Sequence, residues 1–393
     1  MRLEGRRLWF VGIGGAGLSG YALLAQAWGA EVAGWDRYDT PYLEHVRAAG
    51  IPVTISDSPG DVPEGWEAVI STAFAGQVPG RSRAELLAEL VTLQDSIVVA
   101  GAHGKTTTAA MIAFVLDQLG SDPAFLIGGE VPQLGGNARA GSGWLVVEGD
   151  ESDRTIAHLR PKIAVVTNVD LDHHAEFGSQ AEVAELFETW LVEVPQVVRG
   201  EELDPLESDV GVIGEHNRRN AAAAVAALEL AGVSRADALA KLAGFNGVGR
   251  RLEARGEADG VTVVDDYAHH PAEIAATLAA IQGRRLLVLF QPHLFSRTRH
   301  LAAELGQALA AADVVAVTDV YPAREEPVEG VTGKLVVDAL AEARPGMPVA
   351  WTPNIEDGAR FLARRARAGD VVLTIGAGDV DRAVPLLLEE LGP

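Results

Sequence analysis

Residues 97–111 read IVVAGAHGKTTTAAM, and this stretch restricts the possible folds more than any other part of the chain. A β-branched run gives way to small residues, passes through Gly101-Ala102-His103-Gly104-Lys105-Thr106-Thr107, and opens into an alanine-rich segment that favours helix. Strand, tight loop and helix in that order predict a phosphate-cradling turn. Spaced glycines let backbone N–H groups converge, the helix N-terminus offers unpaired donors, a lysine adds a point charge, and a hydroxyl can reach Mg2+. The full pattern asks for glycine where Val99 stands, so the match is partial, and a solvated Gly-Lys-Thr loop is the ordinary alternative. The chain has 4 lysines against 28 arginines, so Lys105 is a rare choice, placed where a phosphate-binding amine belongs.

The same rhythm recurs on both sides of this loop. Leu8 to Val11 reads as a strand, Gly12-Ile-Gly-Gly-Ala-Gly17 as a turn, and Leu18 to Trp28 as a helix. Gly14, Gly15 and Gly17 then suit a diphosphate, and Asp36, at the end of a second strand (Glu31 to Trp35), stands where a dinucleotide-binding fold sets its ribose-binding acid. Downstream of the phosphate loop, a strand from Trp144 to Val147 delivers Glu148-Gly-Asp-Glu151-Ser-Asp153, and one from Ile163 to Thr167 delivers Asn168-Val-Asp170-Leu-Asp172-His173-His174. Ligands of open parallel sheets bind at the carboxyl ends of strands, so two acidic clusters are predicted beside the loop, where Mg2+ on phosphates needs oxygen ligands. Solvated loop charge is the plain reading of any one of these carboxylates. Glu215-His216-Asn217-Arg-Arg-Asn220 precedes a helix expected from Ala221 to Leu230, where the two amides could serve only as caps.

Gly244 to Gly249 reads as a hinge leading into Arg250-Arg251. A strand from Val261 to Val264 then ends in Asp265-Asp266-Tyr267-Ala-His269-His270-Pro271, with Pro271 suited to the first turn of a helix from Ala272 to Ala280. Another, Arg285 to Phe290, ends in Gln291-Pro-His293-Leu-Phe-Ser-Arg297, and strands at Val314 to Val320 and Val371 to Ile375 complete a doubly wound layer. Seven of the ten histidines fall in these strand-end clusters, which scattered structural histidines would not do.

Composition narrows the function classes. A chain of 393 residues, 48% hydrophobic, is too long for one core. Its net charge of -23 argues against a nucleic-acid partner, since no basic stripe is present to release counterions. The absence of cysteine excludes disulfides, thiolate metal sites and cysteine catalysis. The N-terminus lacks the pattern of a signal peptide and no stretch is long and apolar enough for a membrane span, so a cytoplasmic location with no membrane partner is expected.

The ordered series GIGGAG, GAHGKTTT, VVEGDESD, VVTNVDLDHH, EHNRRNAAAA, GVGRRLE, DDYAHHPAEI and FQPHLFSRT resembles the Mur ligases, and within them the alanine-adding branch, over most of the chain. The resemblance implies a three-domain α/β architecture: a Rossmann-like UDP-sugar domain (1–91), a central P-loop ATP-binding domain (92–246) and a Rossmann-like amino-acid-binding domain (247–393). It implies ATP-dependent ligation of L-alanine to UDP-N-acetylmuramate through an acyl phosphate, a step in peptidoglycan precursor synthesis, with two Mg2+ ions. Residue by residue, it would set Gly14, Gly15 and Gly17 on the UDP diphosphate and Gly101, His103, Gly104, Lys105, Thr106 and Thr107 on ATP. Thr106 and Glu148 would hold one magnesium and His173 the second. Asn217, Asn220, Asp266 and Arg250 or Arg251 would contact the nucleotide, and His269, His270, His293 and Arg297 would line the place where amine and acyl group meet. Sister ligases use a carbamylated lysine on the second magnesium; no lysine lies between Ile163 and Ala240, which fits the alanine-adding branch.

The sequence also departs from the family pattern. The chain is shorter than is usual, chiefly between Trp190 and His216 and near Ser71 to Ala84, and Leu294 stands where an arginine is expected after His293. A tripeptide-recycling ligase, a weakly active UDP-sugar-binding relative and, from another class, a nicotinamide-dependent oxidoreductase built on Gly12 to Gly17 and Asp36 are the rival readings. Whether the protein is a monomer or a homodimer stays open.

Overall fold

The computed structural model describes residues 2–151, 154–171, 177–207, 210–281, 283–323 and 325–392. Their strands form three open sheets. The first is parallel throughout, in the order β3-β2-β1-β4-β5, from β1 (Arg7–Val11), β2 (Glu31–Asp36), β3 (Val53–Ile55), β4 (Glu67–Ile70) and β5 (Arg81–Ser82). The second contains β6 (Ser96–Ala100), β7 (Ala124–Val131), β8 (Gly136–Arg139), β9 (Leu145–Glu148), β10 (Ile163–Val166) and β11 (Gln196–Arg199). Its order is β11-β10-β6-β9-β7-β8, with only the β7–β8 hairpin antiparallel. The third contains β12 (Glu253–Ala258), β13 (Val261–Asp266), β14 (Leu286–Phe290), β15 (Val314–Val317), β16 (Val349–Trp351) and β17 (Val371–Ile375), in the order β12-β13-β17-β14-β15-β16.

Two compact units result: Met1–Gly211 with Asn217–Asn246, and Val212–His216 with Gly247–Pro393. In the first, the two sheets share one apolar cluster running from Leu8 and Phe10 through Val98 and Val147 to Trp190. Helix Ala16–Ala27 helps to join them, because Gly20 is so close to the hairpin that a Cβ there would lie 2.8 Å from Ala138 Cβ and 3.2 Å from Leu126. The second unit is doubly wound. Ile274, Leu301 and Leu340 cover one sheet face, and Ala359, Leu362 and Leu387 cover the other.

Local signals set several of these elements. Helix Arg83–Thr92 starts on a capping box in which Ser82 Oγ accepts from Glu85 N–H at 3.2 Å while the Glu85 carboxylate accepts from Ser82 N–H at 2.7 Å. Pro271 opens helix Pro271–Ala280, as its fixed φ and missing N–H allow. Three expectations need correction. The strand expected over Val314 to Val320 ends at Val317. The helix expected at Ala221 begins at Glu215, so Asn217 and Asn220 lie within its first two turns and do not cap it. The strand expected to end at Val264 continues through Asp266, which buries both carboxylates of that pair.

Candidate active site

The loop between β6 and helix Lys105–Gln118 is held from below by the end of β10. Thr167 Oγ1 donates to the carbonyls of Ala100 (3.2 Å) and His103 (2.6 Å). The Asn168 side chain accepts from His103 N–H at 2.9 Å and donates to His103 O at 2.8 Å. Gly104 precedes the helix at φ +83°, and a Cβ there would run into the Asn220 side chain, so glycine is required on both conformational and steric grounds. Asn220 Nδ2 is in turn 3.4 Å from Asn217 Oδ1, which sets both amides beside the loop.

Lys105 and Thr106 occupy the first turn, and the carboxylates leaving β9 meet them. Thr106 Oγ1 donates to Glu148 Oε2 at 3.0 Å, and Gly128 N–H donates to Glu148 Oε1 at 2.5 Å. Lys105 Nζ lies 3.2 and 3.3 Å from the two oxygens of Glu151, a residue only 2% exposed. Burial favours loss of the Lys105 proton, but Glu151, Asp150 and Glu148 outweigh it and raise the ammonium above its ordinary range. The adjacent hydroxyl and carboxylate of Thr106 and Glu148 suit a hard cation that takes its remaining ligands from phosphate and water. Among the described residues no three His, Asp or Glu side chains are grouped to hold a metal by themselves. His173, with Asp153, Asp172 and His174, lies outside the described residues.

The glycine turn after β1 is organised by Asp36. One of its oxygens accepts from Gly14 N–H at 2.7 Å and the other from Tyr38 N–H at 3.2 Å, while Thr40 Oγ1 donates to Gly14 O at 2.6 Å. At 6% exposure, Asp36 is committed to holding its own loop. The Arg83 guanidinium lies across Gly17, where a Cβ would come within 2.8 Å of Nη1.

In the second unit, Arg250 and Leu252 take positive φ (58° and 49°) and are fixed by the paired aspartates. Arg250 Nε donates to Asp265 at 2.8 Å, and its two terminal nitrogens donate to Gly378 O (2.9 Å) and Gly376 O (2.8 Å). Asp266 accepts from Leu252 N–H (2.7 Å), Ala268 N–H (2.8 Å) and Thr277 Oγ1 (3.1 Å). Burial raises the Asp266 pKa to about 6 against the opposing pull of Arg251 and these N–H donors. The Arg251 guanidinium lies 5.1 Å from the Tyr267 ring centroid and 3.7 Å from Glu273. His216 is held below its usual pKa by burial and by Arg251.

From Tyr267 an aromatic row crosses the strand ends. His269 meets His293 edge-on at 5.7 Å, and His293 stacks on Tyr321 at 5.8 Å. Arg297 Nη1 is 3.4 Å from His293 Nδ1, and the backbone N–H groups of His269 and His270 donate to Glu273 at 3.0 and 3.3 Å. Leu294 sits half-buried at φ +70° just before helix Phe295–Leu309.

Three family descriptions match in chain order: "Mur ligase family, catalytic domain" over residues 7–94, "Mur ligase middle domain" over 99–191, and "Mur ligase, glutamate ligase domain" over 250–378. The UDP-N-acetylmuramate–L-alanine ligase of Streptomyces griseus is 39% identical over 97% of this chain and 96% of its own. The chain belongs to the Mur ligase family. The ligase of the same name from Rubrobacter xylanophilus is 38% identical over 97% of this chain and 99% of its own. The UDP-N-acetylmuramate-alanine ligase structure of Thermotoga maritima superposes with a TM-score of 0.79 at 26% identity, covering 98% of this chain and 99% of that one. A murein peptide ligase from Psychrobacter arcticus shares the fold at 0.66 and 24% identity, over 99% of each chain.

This Mur ligase has 393 residues, and its alignment with the Streptomyces relative runs to 451 positions, so the relative carries segments that are missing here. Of the residues singled out from sequence, the first unit gathers Lys105, Thr106, Glu148, Asn217 and Asn220, and the second gathers Arg250, Arg251, Asp266, His269, His293 and Arg297. Thr167 and Arg83 carried no site role in the sequence, and Glu151 and Asn168, though placed in the strand-end clusters, had no role of their own there. A polar pair closing a hydrophobic strand was the available signal for Thr167 and Asn168. Arg83 meets Gly17 only through the tertiary fold.

Proposed function

We propose that this Mur ligase joins L-alanine to UDP-N-acetylmuramate using ATP, as its relatives are named to do. A carboxylate oxygen of the muramoyl group attacks the γ-phosphorus of ATP and ADP leaves. The amine of alanine then attacks the acyl carbon, phosphate departs, and the amine proton passes to a base. The observation that carries this reading is the Lys105–Thr106–Glu148 arrangement at the helix N-terminus, in a chain aligned almost end to end with alanine-adding ligases.

Within it, Lys105 and the N–H groups of its loop balance charge on the transferring phosphoryl. Thr106 and Glu148 would hold one Mg2+ and His173 the second; magnesium would neutralise phosphate charge and orient the phosphate oxygens. Gly14, Gly15 and Gly17 would meet the UDP diphosphate with Arg83 beside them. Arg250 has its guanidinium committed to backbone carbonyls and Asp265, so the nucleotide contact falls to Arg251. His269, His270, His293 and Arg297 would receive the amino acid, and a domain division at residues 91–92 and 246–247 goes with these roles. The structural commitment of Asp36 to Gly14 speaks against the nicotinamide alternative.

No helix among the described residues is long and apolar enough to cross a membrane, and a cytoplasmic setting is proposed from the use of ATP. The test is phosphate release from ATP with UDP-N-acetylmuramate, comparing L-alanine, glycine, L-serine and a tripeptide. Stimulation by L-alanine with formation of the conjugate is expected, and no conjugate with any amino acid would refute the reading.

A further inference from the structure

Lys105 is folded back over its own loop. Its Nζ donates to Gly101 O at 2.5 Å and Ala102 O at 3.3 Å, and completes its set with the Glu151 carboxylate at 3.2 and 3.3 Å. An ammonium has three protons and no acceptor, so these partners take up its donor capacity. Phosphate oxygens bound at such a loop ask for the same protons. Glu151 is not the carboxylate that faces Thr106; that place belongs to Glu148, 3.0 Å from the hydroxyl. Glu151 is almost wholly buried, and a buried carboxylate favours keeping a cation against it.

We propose that Glu151 is an internal competitor of the nucleotide: it latches Lys105 over its own loop, and ATP must draw the lysine away to bind. This rests on the reading of the loop as an ATP site. The latch balances the charge of the lysine, and it lowers apparent ATP affinity by the fraction of protein in which Lys105 is released. Glu151 is thus a positioning residue acting through Lys105.

The test is calorimetric titration of the full-length protein with MgATP, comparing wild type with Glu151→Gln. Binding is expected to tighten by roughly fivefold or more in the variant. The 4 lysines make a second reading practical, since 13Cε-labelled lysine gives few signals. The Lys105 signal should differ between wild type and variant without nucleotide and coincide once both are saturated with ATP. If Glu151→Gln fails to fold, Glu151→Asp, which keeps the charge but shortens its reach, should tighten binding in the same direction. Unchanged or weaker ATP binding in a folded variant, or a Lys105 difference that persists under saturation, overturns the latch. Failure of the wild type to bind ATP would instead refute the ATP reading itself.

Discussion

Single side chains separate roles that the sequence leaves together. Arg250 and Arg251 are adjacent and equally basic, yet only Arg250 is wired to Asp265, Gly376 and Gly378. Arg250→Ala leaves the fully buried Asp265 carboxylate without its cation and is expected to destabilise the protein by about 3 kcal/mol, read by urea unfolding. Arg251→Ala should leave the unfolding midpoint nearly unchanged and raise the KM for ATP about tenfold; equal effects on stability would remove this distinction. Lys105→Ala is expected to lower kcat for ADP formation by about a hundredfold or more, with retained circular dichroism. Asp266 offers a pH test. Its folded pKa of about 6 stands above the ordinary 3.8, so its contribution to stability is fully present below about pH 3.8, is lost as pH rises to about 6, and is flat beyond. Measured against Asp266→Asn, wild-type stability should therefore decline across that window, by roughly 3 kcal/mol.

At the scale of elements, the boundaries that carry the phosphate loop were legible because their signals are local. A β-branched run, two glycines and an alanine-rich stretch need no tertiary partner to be read, and the helix does begin at Lys105. Val371–Ile375 was legible for the same reason, as a short apolar run. The short edge strands Val53–Ile55 and Arg81–Ser82 were not, because so few residues carry no periodicity and exist only through pairing with Gly34–Asp36 and Val69–Ile70. Capping was the ordinary alternative for Asn217 and Asn220 because those residue types favour helix starts; Asn220 instead packs on the Gly104 turn, with Asn217 beside it. That turn yields a further prediction. Gly104→Ala adds a Cβ at φ +83° against Asn220, and should cost about 1–3 kcal/mol while weakening ATP binding more than Thr108→Ala does, by calorimetry. The candidate residues were legible individually, whereas the support of Thr167 and Asn168 beneath the loop depends on β10 lying next to β6.

For the molecule as a whole, three sheets arranged as two compact units mean that stability is not shared evenly. The apolar cluster that joins the first two sheets makes them one body, whereas the third sheet has its own cores on both faces. The close seat of Gly20 on the hairpin at Ala138 has a practical consequence for anyone trimming this enzyme. A protein starting at residue 92 would keep every phosphate-loop residue but lose the helix that covers Leu126 and Ala138, baring an apolar strip that invites self-association. For the same reason, exchanging N-terminal segments among relatives should succeed only when the donor helix also carries a glycine at that point of contact.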